Sequence, residues 1–185
     1  MSELIHKASK ESDVLDLMVD EAVKFIKAHE PPQGYFVGFS GGKDSLVTLE
    51  LTRMAGVRHQ AFYTCSSIEP PEIVRFIREH YPEVTFLYPE EGFWSLIKRK
   101  FPPLRMKRWC CDYLRKYPSR NIPLRHRIMG LRIEESNRRG DRPRIDRNLR
   151  EKTTVYKPLF LFKEWAIWTF IERYGIPYPS LYDEG

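Results

Sequence analysis

The first third of the chain passes from a helical hydrophobic pattern to a strand-like one and back. Residues 11–29 place apolar side chains at helical spacing, and Pro31-Pro32 ends that pattern. A continuous apolar run follows, Tyr35-Phe36-Val37-Gly38-Phe39, which is typical of a buried parallel strand. Helical spacing returns over 44–55, where Gly56 is placed to cap the helix. The pattern therefore predicts a helix, a buried strand and a second helix.

The same alternation continues toward the C-terminus. We predict strands at 61–64, 84–88 and 126–131, and helices that start at Pro70-Pro71-Glu72 and run to His80, then over 92–100 and 163–174. Alternating strands and helices predict an α/β domain with a mostly parallel sheet, in a single unit over residues 1–185. The segment 134–153 is highly charged and poor in large apolar residues, so we expect a mobile basic surface loop there.

Composition narrows the class of protein. No apolar run approaches the roughly 20 residues of a membrane-spanning helix, and Met1–Lys10 lacks the apolar stretch of a secretory signal. We therefore expect a cytoplasmic protein with no membrane partner. The net charge of +6 suits a phosphate-rich partner, either a nucleotide or a nucleic acid, although a solvated basic surface explains it equally well. Three cysteines, two of them adjacent, argue against a disulfide framework.

A candidate phosphate-binding loop joins the first predicted strand to the second helix, with the sequence Ser40-Gly41-Gly42-Lys43-Asp44-Ser45. Unpaired N–H groups and the dipole at a helix N-terminus favour an anion. Gly41 and Gly42 allow the backbone to approach a phosphate, the two serines offer hydroxyl donors, and Lys43 adds positive charge. Asp44 is suited either to the helix dipole or to a magnesium ion. The spacing differs from that of a Walker loop.

The loop resembles the Ser-Gly-Gly-x-Asp-Ser pyrophosphatase loop of the adenine nucleotide α-hydrolase superfamily. Further segments in the same order resemble the phosphoadenosine-phosphosulfate (PAPS) reductase family over roughly residues 35–185. These segments are Ile68-Glu69-Pro70-Pro71-Glu72, Arg108-Trp109-Cys110-Cys111, Met129-Gly130-Leu131-Arg132-Ile133-Glu134-Glu135-Ser136 and Leu181-Tyr182-Asp183-Glu184-Gly185. The resemblance implies a doubly wound, Rossmann-type sheet with helices on both faces and the nucleotide at the C-terminal strand ends.

The resemblance also implies a set of site residues. Phosphates would lie on Ser40, Gly41, Gly42, Lys43, Asp44 and Ser45. The rest of the pocket would come from Cys65, Ser66, Gly130, Leu131, Arg132, Glu135 and Ser136. Lys43, Asp44 and Arg132 would be catalytic, with Mg²⁺ on Asp44. We expect Arg132 to clamp phosphate or sulfate, and a salt bridge with Glu134 or Glu135 is the alternative.

The sequence also departs from the family pattern. Cys65-Ser66-Ser67 stands where many relatives have Asp-Thr-Gly, and an intact Lys43-Asp44 pair favours ATP over PAPS. Relatives ligate a four-iron cluster with an adjacent cysteine pair and a later Cys-x-x-Cys. Since the chain stops at Gly185, we expect no cluster in it. Cys110 and Cys111 are then either ligands of a cluster completed elsewhere or small buried apolar side chains. Cys65 is a candidate low-pKa thiol.

Three functions remain open from the sequence. The first is cleavage of ATP between its α and β phosphates, to adenylate a substrate or support sulfur transfer to a nucleic acid or small molecule. The second is thiol-dependent PAPS reduction, and the third is a nucleotide-binding module without turnover. The basic loop would serve either as a lid or as a polyanion site, through Arg138, Arg139, Arg142, Arg144, Arg147 and Arg150. A homodimer is also left open.

Overall fold

The structure is a computed structural model that describes residues 2–104, 106–135, 143–149 and 151–183, with side chains from residue 11 onward. Within these residues, six strands, numbered β1 to β6 along the chain, form one sheet in the order β3-β2-β1-β4-β6-β5. All neighbouring strands are parallel except β5 and β6, which are antiparallel. The strands are β1 Tyr35–Phe39, β2 His59–Thr64, β3 Thr85–Leu87, β4 His126–Ile128, β5 Ile145–Asn148 and β6 Thr153–Tyr156. The predicted α/β class and mostly parallel sheet are confirmed.

Five α-helices flank the sheet in the part of the chain that the structure describes. They are α1 Ser2–Ala28, α2 Lys43–Met54, α3 Pro71–His80, α4 Phe93–Arg99 and α5 Glu164–Tyr174. Shorter turns complete the connections: a π-helix Cys111–Lys116, and 3₁₀ helices Tyr117–Ser119, Ile133–Glu135 and Ser180–Tyr182. No helix in the described ranges combines the length and apolar character needed to cross a bilayer.

The main hydrophobic core lies on one face of the sheet. Alternate residues of β1, Tyr35, Val37 and Phe39, enter this core because successive side chains of a strand point to opposite faces. Leu46 and Leu49 of α2 meet them, together with apolar residues of α1, α3 and α5. Because β1 is central and α2 follows it directly, the β1–α2 turn is held on both sides by core packing.

The opposite face of the sheet carries a smaller, mixed layer. Phe36 of β1 and Phe62 of β2 stack with ring centroids 4.4 Å apart. Beside them, Arg127 of β4 donates from Nη1 to the Ser119 hydroxyl at 3.0 Å. The segment 111–119, which includes the buried Leu114, therefore covers this face near β1 and β4. This layer places a buried arginine next to two aromatic rings.

Two parts of the fold differ from the sequence prediction. The basic segment 134–153 is not a loop throughout, because its residues Ile145–Asn148 form β5 and pair with β6. Arg144 is held by Glu21 of α1, with one nitrogen–oxygen distance of 2.5 Å, and its guanidinium lies 3.8 Å from the Phe25 ring centroid. Residues 136–142 and Arg150 lie outside the described residues. The helical segment 111–119 was also not predicted.

Candidate nucleotide site

The turn between β1 and α2 is shaped by Gly41. Its φ of +76° lies in the left-handed region that glycine tolerates best. A Cβ at this position would also lie 3.1 Å from side-chain atoms of Ile73 and Ile77 in α3. The chain turns sharply here and α2 begins at Lys43, so the first N–H groups of α2 face the C-terminal end of the sheet, as the sequence predicted.

Ser45 holds the turn together with its own hydroxyl group. Its Oγ donates to the Gly42 carbonyl at 2.7 Å and accepts the Ser40 backbone N–H at 3.1 Å. The Ser40 and Ser45 hydroxyls lie 3.2 Å apart, and the Gly42 N–H reaches the Ser40 Oγ at 3.4 Å. The loop is thus internally braced, with Ser45 buried and Ser40 exposed.

Tyr182 lies over the same loop, from the C-terminal 3₁₀ helix. The Lys43 backbone N–H donates to the Tyr182 hydroxyl at 3.2 Å, and the Lys43 ammonium lies 5.4 Å from the centre of the Tyr182 ring. This hydroxyl takes the N–H donor that a phosphate would use at the start of α2. The sequence pattern of the tail gave no indication that it would reach the loop.

Arg132 sits in a cluster of carboxylates. Its Nε contacts Asp44 at 2.5 Å, Nη1 contacts Glu134 at 2.8 Å and Nη2 contacts Glu164 at 2.7 Å. The guanidinium is almost fully buried. Burial opposes its charge, but Glu164 and Asp44 outweigh that effect and raise the pKa of Arg132.

The contacts of Arg132 include the salt bridge that the sequence offered as the alternative to a phosphate clamp. Glu134 is a partner as expected, with Asp44 and Glu164 added. Glu135 instead accepts the Arg132 backbone N–H at 3.3 Å. Arg132 is not among the residues that line the cavity above the loop, and its three guanidinium nitrogens face Asp44, Glu134 and Glu164.

Glu164, the first residue of α5, links the two basic residues of this region. One of its oxygens lies 3.2 Å from the Lys43 ammonium and the other 2.7 Å from Arg132. Burial raises the pKa of Glu164, but hydrogen bonds from Arg132 and Lys43 outweigh it and leave the pKa below its ordinary value. A carboxylate from α5 thereby positions Lys43, a role that sequence reasoning missed.

The end of β4 packs directly against the start of α2. A Cβ on Gly130 would lie 2.7 Å from both the Asp44 carbonyl and the Thr48 hydroxyl. Only glycine allows this approach without a shift of backbone. Gly130 and Leu131 therefore lie beside the loop, where the sequence placed them.

A cavity of about 650 Å³ opens above the loop and across the C-terminal ends of β1, β2 and β4. It unites most of the predicted site residues: Ser40, Gly42, Lys43, Asp44, Ser45, Gly130, Leu131 and Glu135. It also includes Glu69, from a segment that resembles the family, and residues that were not predicted as site residues, among them Phe36, Phe62, Tyr63, Arg115, Ser119, Arg127 and Tyr182. Ser136 lies outside the described residues.

Cys65 and Ser66 do not line this cavity. Cys65 opens instead into a neighbouring cleft of about 460 Å³ with Arg75 and Arg78 of α3. Ser66 is buried, and both its N–H and its hydroxyl donate to Glu69, with distances of 3.0 and 2.5 Å to the same oxygen. Ser66 therefore acts on the cavity indirectly, by fixing a carboxylate that does line it.

Cys110 and Cys111 lie apart from the loop. Cys111 lines a basic groove of about 660 Å³ with Lys100, Lys107, Arg108 and Trp109. Both thiols are partly exposed, which differs from a pair of fully buried apolar side chains. Burial and the neighbouring Cys111 raise the pKa of the Cys110 thiol.

A magnesium ion would have to rely on Asp44 and on substrate. Within the described ranges, no three His, Cys, Asp or Glu side chains form a group able to hold a metal ion. Asp44 lines the cavity, but its Oδ1 is in contact with Arg132. Magnesium is commonly bound by one or two carboxylates together with substrate phosphates, and a single carboxylate fits that mode.

Comparison with known proteins gives matches in sequence and in structure. The sequence profile of the phosphoadenosine phosphosulfate reductase domain matches residues 34–185. An uncharacterized protein of Methanocaldococcus jannaschii is 30% identical over 185 aligned positions, which cover 93% of this chain and 38% of that protein. The chain thus spans less than half the length of this curated relative.

Three solved structures share the fold. PAPS reductase from Candida auris, in a phosphate complex, has a TM-score of 0.70 at 14% identity and covers 92% of this chain and 90% of its own. NMN synthetase from Francisella tularensis has a TM-score of 0.61 at 18% identity, with 88% and 71% covered. NH₃-dependent NAD synthetase from Campylobacter jejuni, with nitrate, has a TM-score of 0.57 at 14% identity, with 88% and 74% covered.

Proposed function

Since the chain belongs to the phosphoadenosine phosphosulfate reductase family, we propose that it binds ATP in the 650 Å³ cavity and cleaves it between the α and β phosphates. The observation that carries this proposal is the braced turn Ser40–Ser45 at the N-terminus of α2, with Lys43 beside it. Backbone N–H groups, a helix dipole and a lysine converge on one point of the cavity. The relative from Candida auris was solved with phosphate, which agrees with an anion site in this fold.

The proposed chemistry is transfer of an adenylyl group. An acceptor oxygen or other nucleophile attacks the α-phosphorus, the bond from that phosphorus to the bridging oxygen breaks, and pyrophosphate leaves with the bonding electron pair. The loop N–H groups and Lys43 stabilise the charge that develops on the departing pyrophosphate. Mg²⁺, when bound by the phosphates and Asp44, would neutralise further charge.

Arg132 and Glu164 are positioning residues in this scheme. Arg132 fixes the Asp44 carboxylate at the cavity wall, and Glu164 holds Lys43. Neither needs to touch the nucleotide for its loss to matter, because both set the direction of a side chain that does. Tyr182 moves off the Lys43 N–H when phosphate arrives.

PAPS reduction is the second candidate, and the location of the thiols weighs against it. All three cysteines of the chain, Cys65, Cys110 and Cys111, lie outside the residues that line the cavity. Reduction of a sulfonucleotide needs a thiol at the sulfur atom. ATP cleavage needs none, so it fits the cavity better.

The products of ATP turnover test the proposal. Wild type incubated with ATP and Mg²⁺ should release AMP, or an adenylated acceptor, together with pyrophosphate, and Lys43→Ala should reduce this release at least tenfold. Lys98→Ala, an exposed lysine of α4, serves as the matched control and should leave it unchanged. Formation of ADP and phosphate would contradict cleavage between the α and β phosphates. Binding of ATP without either product would favour the binding module.

A further inference from the structure

The cavity contains a second basic region, away from the phosphate loop. Arg127 lies in the middle of β4, with Phe36 of β1 as its Cα partner. Ser40 follows Phe36 by four residues along β1, so roughly 13 Å of strand separates the arginine from the loop. Both positions line the same cavity. A ligand on the loop therefore leaves room for a different group at Arg127.

The charge of Arg127 is buried and only partly satisfied. The residue is 8% exposed, and its Nη1 and Nη2 donate to the hydroxyl and carbonyl of Ser119 at 3.0 and 3.2 Å. Its Nε is buried without a hydrogen-bond partner. Both acceptors are neutral, and no carboxylate of the described residues lies within ion-pair distance. Burial lowers the pKa of Arg127, with Glu151 as the acid that opposes this effect.

Arg127 contrasts with Arg132 on the same segment of chain. Each Arg132 nitrogen faces a carboxylate, whereas Arg127 has two neutral oxygens and a stacked aromatic ring, with its guanidinium 4.8 Å from the centre of Phe36. A buried guanidinium without an anion is costly to the folded state. An anionic ligand would remove that cost.

Neighbouring groups extend the basic region. Arg115, an exposed residue of the π-helix, lines the same cavity and lies near enough to Tyr63 to lower its pKa, although burial prevails and raises it. Tyr63 itself packs in the main core in register with Phe39, on the face of the sheet opposite Arg127, so its hydroxyl is not part of this region. Two arginines thus lie at this end of the cavity, with Ser119 hydrogen-bonded to Arg127.

The carboxylates near this region are already engaged. Asp44 contacts Arg132, Glu69 accepts from Ser66, and Glu135 accepts the Arg132 backbone N–H. Glu151 lies 3.8 Å from the Lys116 ammonium. None of these acids forms an ion pair with Arg127 or Arg115 in the described part of the chain.

We propose that Arg127, held in place by Ser119, and Arg115 form an inner anion subsite, which binds the carboxylate, sulfate or phosphate group of the second substrate while the nucleotide phosphates occupy the loop. The subsite deepens the proposed function, since it assigns an acidic acceptor to that reaction. A planar guanidinium with free N–H donors suits such a group, because it can bind two oxygens at once.

Binding of radiolabelled sulfate by equilibrium dialysis tests the subsite. With α,β-methylene ATP saturating the loop, wild type should bind one sulfate per chain. Arg127→Met should weaken this binding roughly tenfold to a hundredfold, as expected for loss of charge-assisted hydrogen bonds. Arg115→Gln should weaken it severalfold. Arg120→Gln is the matched control, because Arg120 is exposed, follows closely in sequence and does not line the cavity.

The melting temperature separates binding from a structural role. Met in place of a buried, uncompensated charge should leave the melting temperature without ligand unchanged or raised. If Arg127→Met does not fold, Arg127→Lys and Arg115→Gln carry the test, and both should lose affinity for sulfate. Equal sulfate binding by wild type and the folded variants would overturn the subsite.

Two further measurements identify which molecule supplies the anion and separate a failure of the subsite from a failure of the proposed function. If adenosine 3′,5′-bisphosphate displaces the Arg127-dependent sulfate while α,β-methylene ATP does not, the anion is the nucleotide's own 3′-phosphate, and an acidic second substrate is ruled out. Without nucleotide, wild type should bind two sulfates, one sensitive to Lys43→Ala and one to Arg127→Met. If wild type does not bind ATP but still binds the Arg127-dependent sulfate, the proposed function is contradicted and the subsite is supported.

Discussion

The Tyr182 hydroxyl competes with phosphate for the first N–H group of α2. Because the Lys43 N–H donates to it at 3.2 Å, a bound nucleotide must break that hydrogen bond. We expect Tyr182→Phe to raise ATP affinity by roughly two- to tenfold, which corresponds to a net hydrogen bond of about 0.5–1.5 kcal/mol. Isothermal titration calorimetry measures the change, with Tyr178→Phe as control. A drop in affinity would show that Tyr182 contacts the nucleotide instead.

The Glu164 carboxylate makes the stability of the folded protein depend on pH. Its folded-state pKa lies below the ordinary value of 4.5, so the stability it contributes is present above that pH and is lost as the pH falls through the folded-state pKa. We expect Glu164→Gln to lower the melting temperature at pH 7 and to differ much less from wild type at pH 3.

The control for this measurement is Glu172→Gln, on the exposed side of the same helix. It should change the melting temperature little at either pH. A Glu164→Gln effect of the same size at both pH values would show that the side chain stabilises the fold without its charge.

The approach of β4 to α2 depends on Gly130. A methyl group there would meet the Asp44 carbonyl and the Thr48 hydroxyl at 2.7 Å, so one element must move. We expect Gly130→Ala to reduce the free energy of unfolding by about 1–3 kcal/mol, as other overpacked positions do. It should also weaken ATP binding, because Asp44 and Lys43 lie at the moved end of α2. Denaturant unfolding and calorimetry measure both effects.

Gly92→Ala is the matched control, since a Cβ there meets only the Ser67 hydroxyl at 3.3 Å. It should cost little stability and leave ATP affinity unchanged. Unaltered stability in Gly130→Ala would contradict the close packing of β4 against α2.

The sequence predicted the elements whose hydrophobic pattern lies within one short stretch of the chain. The continuous apolar run of β1, the glycine turn and the spacing of α2 carry the loop in sequence alone. The sequence missed β5 and β6, because each has only four residues, β5 is mostly charged or polar, and β6 directly follows the charged segment. It also missed Tyr182 and Arg127, which line the cavity, and Glu164, which contacts Lys43, because all three depend on long-range packing.

Arg132 is one residue whose contacts could be predicted only in part from the sequence. The sequence offered Glu134 or Glu135 as partners because they are close along the chain, and Glu134 is indeed one. Asp44 and Glu164 come from distant segments, and only the packing of α2 and α5 beside β4 brings them together. The resemblance to the family indicated Arg132 as a site residue, but it did not indicate that Asp44 and Glu164 would contact it.

For the molecule as a whole, the net charge of +6 leaves a nucleic-acid partner to be tested. Among the loop arginines that the structure describes, Arg144 is committed to Glu21 of α1 and does not line the cavity. We expect weak RNA and DNA binding and a lid role for the rest of the loop. Binding of short fluorescent RNA and DNA at two salt concentrations tests this, since contacts with many phosphates give steep salt dependence.

The loop variant for that experiment replaces Arg138, Arg139 and Arg142 with alanine. We expect it to reduce ATP affinity modestly and to change nucleic-acid binding little. Tight, salt-sensitive binding that disappears in the variant would identify a nucleic acid as the partner.

The central claim is that the turn Ser40–Ser45 binds the phosphates of an adenine nucleotide, and calorimetric titration of ATP into wild type and Lys43→Ala tests it most directly. Loss of a charge-assisted contact costs about 1.5–3 kcal/mol, so Lys43→Ala should bind ATP roughly tenfold to a hundredfold more weakly. Asp44→Ala should also bind more weakly, while Lys98→Ala should match wild type. A folded Lys43→Ala protein with unchanged affinity for ATP would contradict the assignment of the site.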